Sequence, residues 1–204
     1  MGKRQDAALE TRQKLIDAAR TLILERGFNN FNVSDITEKA GVAKGSFYTY
    51  FEHKEDIIDA VTHQNIYPLR EASLSMEGCV TDKLSHYLYE AMSQIVEYGL
   101  VSAQNWMQLG MNPGNVCVLN KMHLDMKVVE EILQSAVKTG ELSINMPISS
   151  IQHCIIAEFY GIVVTWCISN GSISAIERIE YFNKNHLNQL LSEYQKHRNK
   201  RSFV

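Results

Sequence analysis

The sequence predicts an all-α protein, and three observations carry that reading. Apolar residues return every three or four positions in nearly every segment, the spacing that lines one side of a helix. The breaks between segments are helix terminators: Gly27, Gly41, Gly99, Gly140, and the runs Asn112-Pro113-Gly114-Asn115 and Asn170-Gly171. Between Val33 and Val61 the chain reads as a short helix, a glycine-bearing turn, a second short helix and the start of a third.

Taken in order, the first helix runs from about Leu9 to Arg26, with Leu15, Ile16, Ala19, Leu22 and Ile23 on one face and Gly27 at its end. Asn32 caps the next, Asp35 sits near its positive end, Ile36 and Ala40 form its inner stripe, and Gly41 closes it. A helix from about Ala43 repeats Phe47, Tyr50 and Phe51 inward, leaving Lys44, Gly45, Tyr48 and Thr49 outward. The helix from Lys54 carries Ile57, Ile58, Val61 and Ile66 and is expected to bend or stop at Pro68, before a polar stretch that reaches Gly78. Thr81 or Asp82 opens a helix through Leu84, Leu88, Met92, Ile95 and Val96, which breaks at Gly99 and resumes near Trp106. Val116 to Lys138 follows, with Leu119, Met122, Met126, Val129, Ile132, Leu133 and Val137 at helical spacing. Two last helices are expected over about 149–169 and 174–196, followed by the basic tail Arg198-Asn199-Lys200-Arg201, read as frayed and solvated.

Two short helices joined by a tight turn are a common device for pushing one helix into a DNA major groove. An outward lysine, a bare glycine, a phenol and a hydroxyl suit phosphates and base edges. The stretch GVAKGSFYTYFEHKEDIIDAV, preceded by NVSDITEKA and by ETRQKLIDAARTLILERGF, closely resembles the N-terminal domain of TetR-family transcriptional regulators over residues 10–62. The resemblance implies an all-α fold with an N-terminal three-helix helix-turn-helix domain (1–53) and a C-terminal helical domain for ligand binding and dimerisation (54–204). By that resemblance Ser34, Lys44, Gly45, Ser46, Tyr48, Thr49 and Lys54 are DNA-binding, Ser34 facing the backbone and Lys54 a phosphate. Thr37 stands where many relatives carry alanine.

Net charge is −3, so DNA binding has to rest on local patches: Lys3, Arg4, Arg12 and Lys14 near the N terminus, and Lys39, Lys44 and Lys54 in the motif. The 149–169 helix is apolar on nearly every side, which suggests a subunit interface, and with the helix after it in two subunits it would form a four-helix bundle. Ile155, Phe159, Ile162, Val163, Trp166, Phe182, Leu187 and Leu190 are the expected homodimer contacts. A small apolar or aromatic effector is expected to meet Tyr98, Trp106, Met107, Met122, His123, Phe159 and Trp166, all soft or aromatic side chains.

Other function classes find little support. No GxSxG, HExxH, GxxxxGK or GxGxxG occurs, so no enzyme activity and no cofactor are expected. Seven histidines and four cysteines never reach ligand spacing, which argues against a metal. The absence of CxxC and of a signal sequence points to the reducing cytoplasm. The apolar run Cys154–Ile168 contains Glu158 and reads as too short for a bilayer. The expected partners are an operator in double-stranded DNA, a second copy of the chain and the effector, with no membrane. A helical dimeric scaffold without specific DNA binding is the competing reading.

Overall fold

The structure, a computed structural model, describes residues 2–27, 30–111 and 117–195. The expected turn at 112–115 and the basic tail at 198–201 lie outside the described residues, as do the side chains of Lys3 and Arg4. Among the described residues ten α-helices follow one another: α1 (Lys3–Arg26), α2 (Val33–Ala40), α3 (Lys44–Phe47), α4 (Lys54–Ser75), α5 (Val80–Glu97), α6 (Leu100–Gly110), α7 (Cys117–Lys138), α8 (Ile148–Ile168), α9 (Ala175–Phe182) and α10 (Asn188–Ser192). A π turn, Asn183–Leu187, joins the last two. Among the described residues the only extended pairing is an isolated bridge between Leu142 and Gln195.

Two apolar cores organise these helices. The head core is built from Leu15, Ile16, Ala19, Leu22 and Ile23 of α1, Ile36 of α2, Phe47 of α3, Phe51, and Ile57, Ile58 and Val61 of α4. The body core begins in the same α4, at Ile66 and Leu69, and continues through α5 to α10. The head thus draws on two turns of α4 beyond residue 53, and α4 belongs to both units.

Several elements depart from the sequence expectation. The helix after Gly41 is a single α turn, Lys44–Phe47, carried on by a turn in which Phe51 N–H still reaches Phe47 O at 3.0 Å. Tyr50 is only half-buried against the head core. Pro68 does not interrupt α4, which runs on to Ser75; the body side of the same helix buries Leu69 and Ser73, and that packing holds the helix across the missing N–H. Helix α6 resumes directly after Gly99, at Leu100 rather than near Trp106. Helix α1 begins at Lys3, six residues before the expected start at Leu9.

Helix α8 has the expected length, 21 residues, but its apolar character extends beyond the Cys154–Ile168 run, so by length and composition it is long and apolar enough to cross a bilayer, contrary to expectation. Half of its most apolar window is buried inside the protein. That makes α8 a core helix with one face outward. The expected dimer contacts are therefore corrected: Ile155, Phe159, Ile162, Val163, Trp166, Phe182 and Leu187 are buried in their own subunit's core, and Leu190 is half-buried against it. An all-round apolar helix presents its bulkier side to the body, because that side buries more surface.

Candidate nucleic-acid interface and effector cavity

The turn of the head is fixed by local chemistry. Asn32 accepts from the N–H groups of Ser34 (2.7 Å) and Asp35 (3.2 Å), while Asp35 accepts from the Asn32 N–H at 2.7 Å, a reciprocal cap on α2. Gly41 adopts φ 68°, ψ 32°, the left-handed conformation that ends α2 and turns the chain toward α3. Thr37 is 3% exposed and its hydroxyl bonds back to Val33 O and Ser34 O at 3.1 Å, so it neither loosens the packing nor reaches outward.

Phe47 is fully buried and anchors the short recognition turn. Its ring meets the Tyr48 ring edge-on at 5.4 Å and that of Phe51 at 5.5 Å. Tyr48 is held in place from beneath yet remains 56% exposed. Lys44, Gly45, Thr49 and Ser34 are also exposed, and Ser46 is half-buried. A Cβ on Gly45 would meet nothing within 4 Å, so the fold does not require glycine there. What a bare backbone offers at that position is close approach from outside.

Lys54, half-exposed, makes a contact within the head that the sequence did not foretell. Its ammonium donates to Phe31 O at 2.8 Å and lies 4.2 Å from the centre of the Phe31 ring, and burial draws its pKa below the ordinary lysine value. It ties the start of α4 to the loop before α2. At the same junction Asp56 accepts from the N–H groups of Glu52 (2.9 Å) and His53 (2.8 Å) and caps α4.

A cavity of about 60 Å³ lies where head and body meet. Ile23 and Val61 of the head core wall one side, and Ile66, Ala91, Ile95, Ala103 and Trp106 of the body core wall the other, with Thr62, Asn65, Gln94, Tyr98 and Lys121 as its polar members. Asn65 donates to the Tyr98 hydroxyl at 2.6 Å, binding α4 to the end of α5. Of the expected effector contacts only Tyr98 and Trp106 line this cavity. Met107 and Met122 pack against the body core, Phe159 and Trp166 lie within it, and His123 is exposed.

Behind the cavity sits a polar hub that none of the sequence expectations covers. Asp125 is 1% exposed and accepts from Tyr87 Oη (2.8 Å), Tyr160 Oη (2.7 Å) and Lys121 Nζ (2.7 Å). Burial, with the Asp125 carboxylate alongside, holds both phenols well above their ordinary pKa, so both remain protonated donors. Tyr160 stacks on Trp106 at 6.3 Å. Lys121 and Asp125 stand at i, i+4 on α7, the one local signal that marks the hub.

A capped short helix α2, a left-handed glycine after it and an exposed strip on the short helix α3, with both helices sharing one core with the longer α1, form the helix-turn-helix arrangement of DNA-binding proteins. Residues 15–61 match the model of the bacterial regulatory proteins of the tetR family. The fatty acid metabolism regulator protein of Bacillus subtilis is 25% identical over 165 residues, 77% of this chain and 84% of that protein. The transcriptional repressor NemR of Escherichia coli is 29% identical over 135 residues, 64% of this chain and 61% of its own. Among solved structures, the regulator FadR of Bacillus subtilis in complex with stearoyl-CoA superposes with a TM-score of 0.65 at 21% identity, covering 88% of this chain and 97% of that one. A TetR-family regulator from Syntrophomonas wolfei gives 0.69 at 22% identity, covering 89% and 95%. Residues 15–61 thus form a tetR-type DNA-binding head, and over most of its length the chain is similar to TetR-family transcriptional regulators.

Proposed function

We propose that the chain is an effector-responsive cytoplasmic repressor that binds a near-palindromic operator as a homodimer. The exposed strip of Lys44, Gly45, Tyr48 and Thr49, standing on the buried Phe47, carries this reading, with Ser34 and Ser46 as its flanks. Tyr48 and Thr49 meet base edges or phosphates, Lys44 a phosphate, and Gly45 lets the backbone come close. Two such strips related by a two-fold axis fit half-sites whose centres lie about 34–36 Å apart, or a multiple of that.

The second copy docks on the outward face of α8, where His153, Cys154, Ala157, Gly161, Thr165 and Ile168 are exposed, Ile168 by 80%. Tyr181 of α9, 56% exposed, is available to extend it. Small residues at Ala157 and Gly161 let two α8 helices approach closely, and pairing removes Ile168 from water. A Cβ at Gly161 meets nothing within 4 Å of its own subunit, and arginine is a better helix former than glycine. Gly161→Arg is thus expected to fold as well as the parent protein but to sediment as a monomer where the parent is a dimer. Its operator affinity should fall tenfold or more, since the two heads then bind separately. A Gly161→Arg protein that stays dimeric places the interface elsewhere.

The position of the cavity supports effector response. Its walls include Ile23 and Val61 from the head and Ile66, Ile95 and Trp106 from the body, so any added volume acts between the two cores. An effector that prefers the parted conformation swings α4 and moves the two heads off the operator spacing.

A further inference from the structure

The hub behind the cavity bears on the charge of the effector, an inference that rests on the effector reading above. The Lys121 ammonium has three donors and gives one to Asp125 Oδ2 at 2.7 Å. Asp125, by contrast, accepts from Tyr87, Tyr160 and Lys121 together, so its lone pairs are largely spent. Among the described residues Lys121 is also the only charged member of the cavity lining, and no carboxylate lines it. A cationic guest would meet an ammonium at this wall, whereas an anionic guest meets unspent donors on Lys121 and an amide on Gln94. The rest of the wall is apolar: Ile66, Ala91, Ile95 and Trp106 among others.

We propose that the effector is an apolar monocarboxylate, its head on Lys121 and Gln94 and its tail against Ile66, Ile95 and Trp106. Burying an anion in this wall is favourable only where a charge-assisted donor meets it, which makes Lys121 the specificity-determining residue. The cavity, about 60 Å³, is smaller than the ~150 Å³ that accommodates benzene in an engineered core. Tail length therefore reads how far α4 and α5 part. Lys121 stays paired with Asp125 when the carboxylate arrives, because its remaining donors serve the guest.

The test titrates the full-length protein, with Trp166 changed to Phe so that Trp106 is the sole indole, against straight-chain carboxylates from butanoate to dodecanoate. The matched primary alcohols and alkylammonium ions run alongside. Trp106 fluorescence is expected to respond saturably to carboxylates, with affinity at least tenfold above the alcohol of equal length and with little response to the amines. Lys121→Arg should keep that preference, and Lys121→Met should abolish it. Because Lys121→Met leaves Asp125 buried without its cation, the double variant Lys121→Met with Asp125→Asn serves as the folded control, and the wild-type comparison needs no variant. Equal affinity for alcohols and carboxylates, preference for the amines, or no response to any chain length each overturns the assignment. A gel shift with operator DNA is read in parallel: DNA binding that persists without any carboxylate response sinks this inference alone, whereas loss of specific DNA binding in the unliganded protein sinks the regulator reading.

Discussion

Tyr48→Ala is expected to weaken operator binding by about thirtyfold or more while leaving the fold intact. Tyr48 is 56% exposed and touches the head core only through an edge-on contact with Phe47, so removing its ring leaves Phe47, Ile36 and Phe51 packed as before. Surface substitutions of this kind usually change stability by less than about 0.5 kcal/mol. Each groove contact contributes roughly 1–3 kcal/mol, and a dimer loses it in both half-sites, which gives roughly 2–6 kcal/mol. Even the low end of that range is close to thirtyfold in the dissociation constant. Quantitative gel shifts on the DNA flanking the chain's own gene, beside a thermal melt of each protein, measure both quantities. Unchanged affinity in a folded Tyr48→Ala protein removes the ring from the interface.

Asp125→Ala should destabilise the protein by about 3–5 kcal/mol, the usual consequence of breaking a buried ion pair from one side. The carboxylate is 1% exposed, and its loss leaves the Lys121 ammonium, whose side chain is 16% exposed, and the Tyr87 and Tyr160 hydroxyls facing an apolar gap. For a chain of 204 residues this corresponds to a fall in melting temperature of roughly 6–20 °C. The injury lies in the body, since α5, α7 and α8 supply the hub and no head residue joins it. Urea unfolding followed by fluorescence reads the loss directly. A loss below about 1 kcal/mol would mean that water reaches Asp125 freely and that the hub contributes little.

The head was largely legible in the sequence because its determinants are local. Asn32 with Asp35, Gly41 and the stripe ending at Phe47 and Phe51 each specify their own turn, and residues within a few positions settle the result. The length of α3 was not legible, since whether a helix continues past Phe47 depends on how Phe51 packs beneath α1 and α4 rather than on propensity. The body was read at the level of helices but not of faces. Helix α8 is apolar on both sides, so periodicity could not say that Ile155, Phe159 and Val163 face inward while Ala157, Gly161 and Ile168 face outward.

The cavity escaped for a related reason. Its lining comes from α1, α4, α5, α6 and α7, and much of it is Ile, Val and Ala, residues that carry no mark of a site. Soft aromatic character marks Trp106 and Tyr98 in the lining but equally marks core residues such as Phe159 and Trp166. A charged pair at i, i+4 in the apolar stripe of α7, Lys121 and Asp125, was the available clue to the hub. The contact of Lys54 with Phe31 was equally hidden, because residues 23 positions apart bring it about.

Two copies of the strip on α3 are proposed to read one DNA site in register. Hydroxyl-radical footprinting of the wild-type protein on the DNA flanking its own gene tests it most directly. Two protected segments related by a two-fold axis are expected, with centres about 34–36 Å apart or a multiple of that, at protein concentrations where unrelated DNA is unprotected. Uniform protection no stronger than on unrelated DNA, or a single protected segment occupied by one copy, contradicts it.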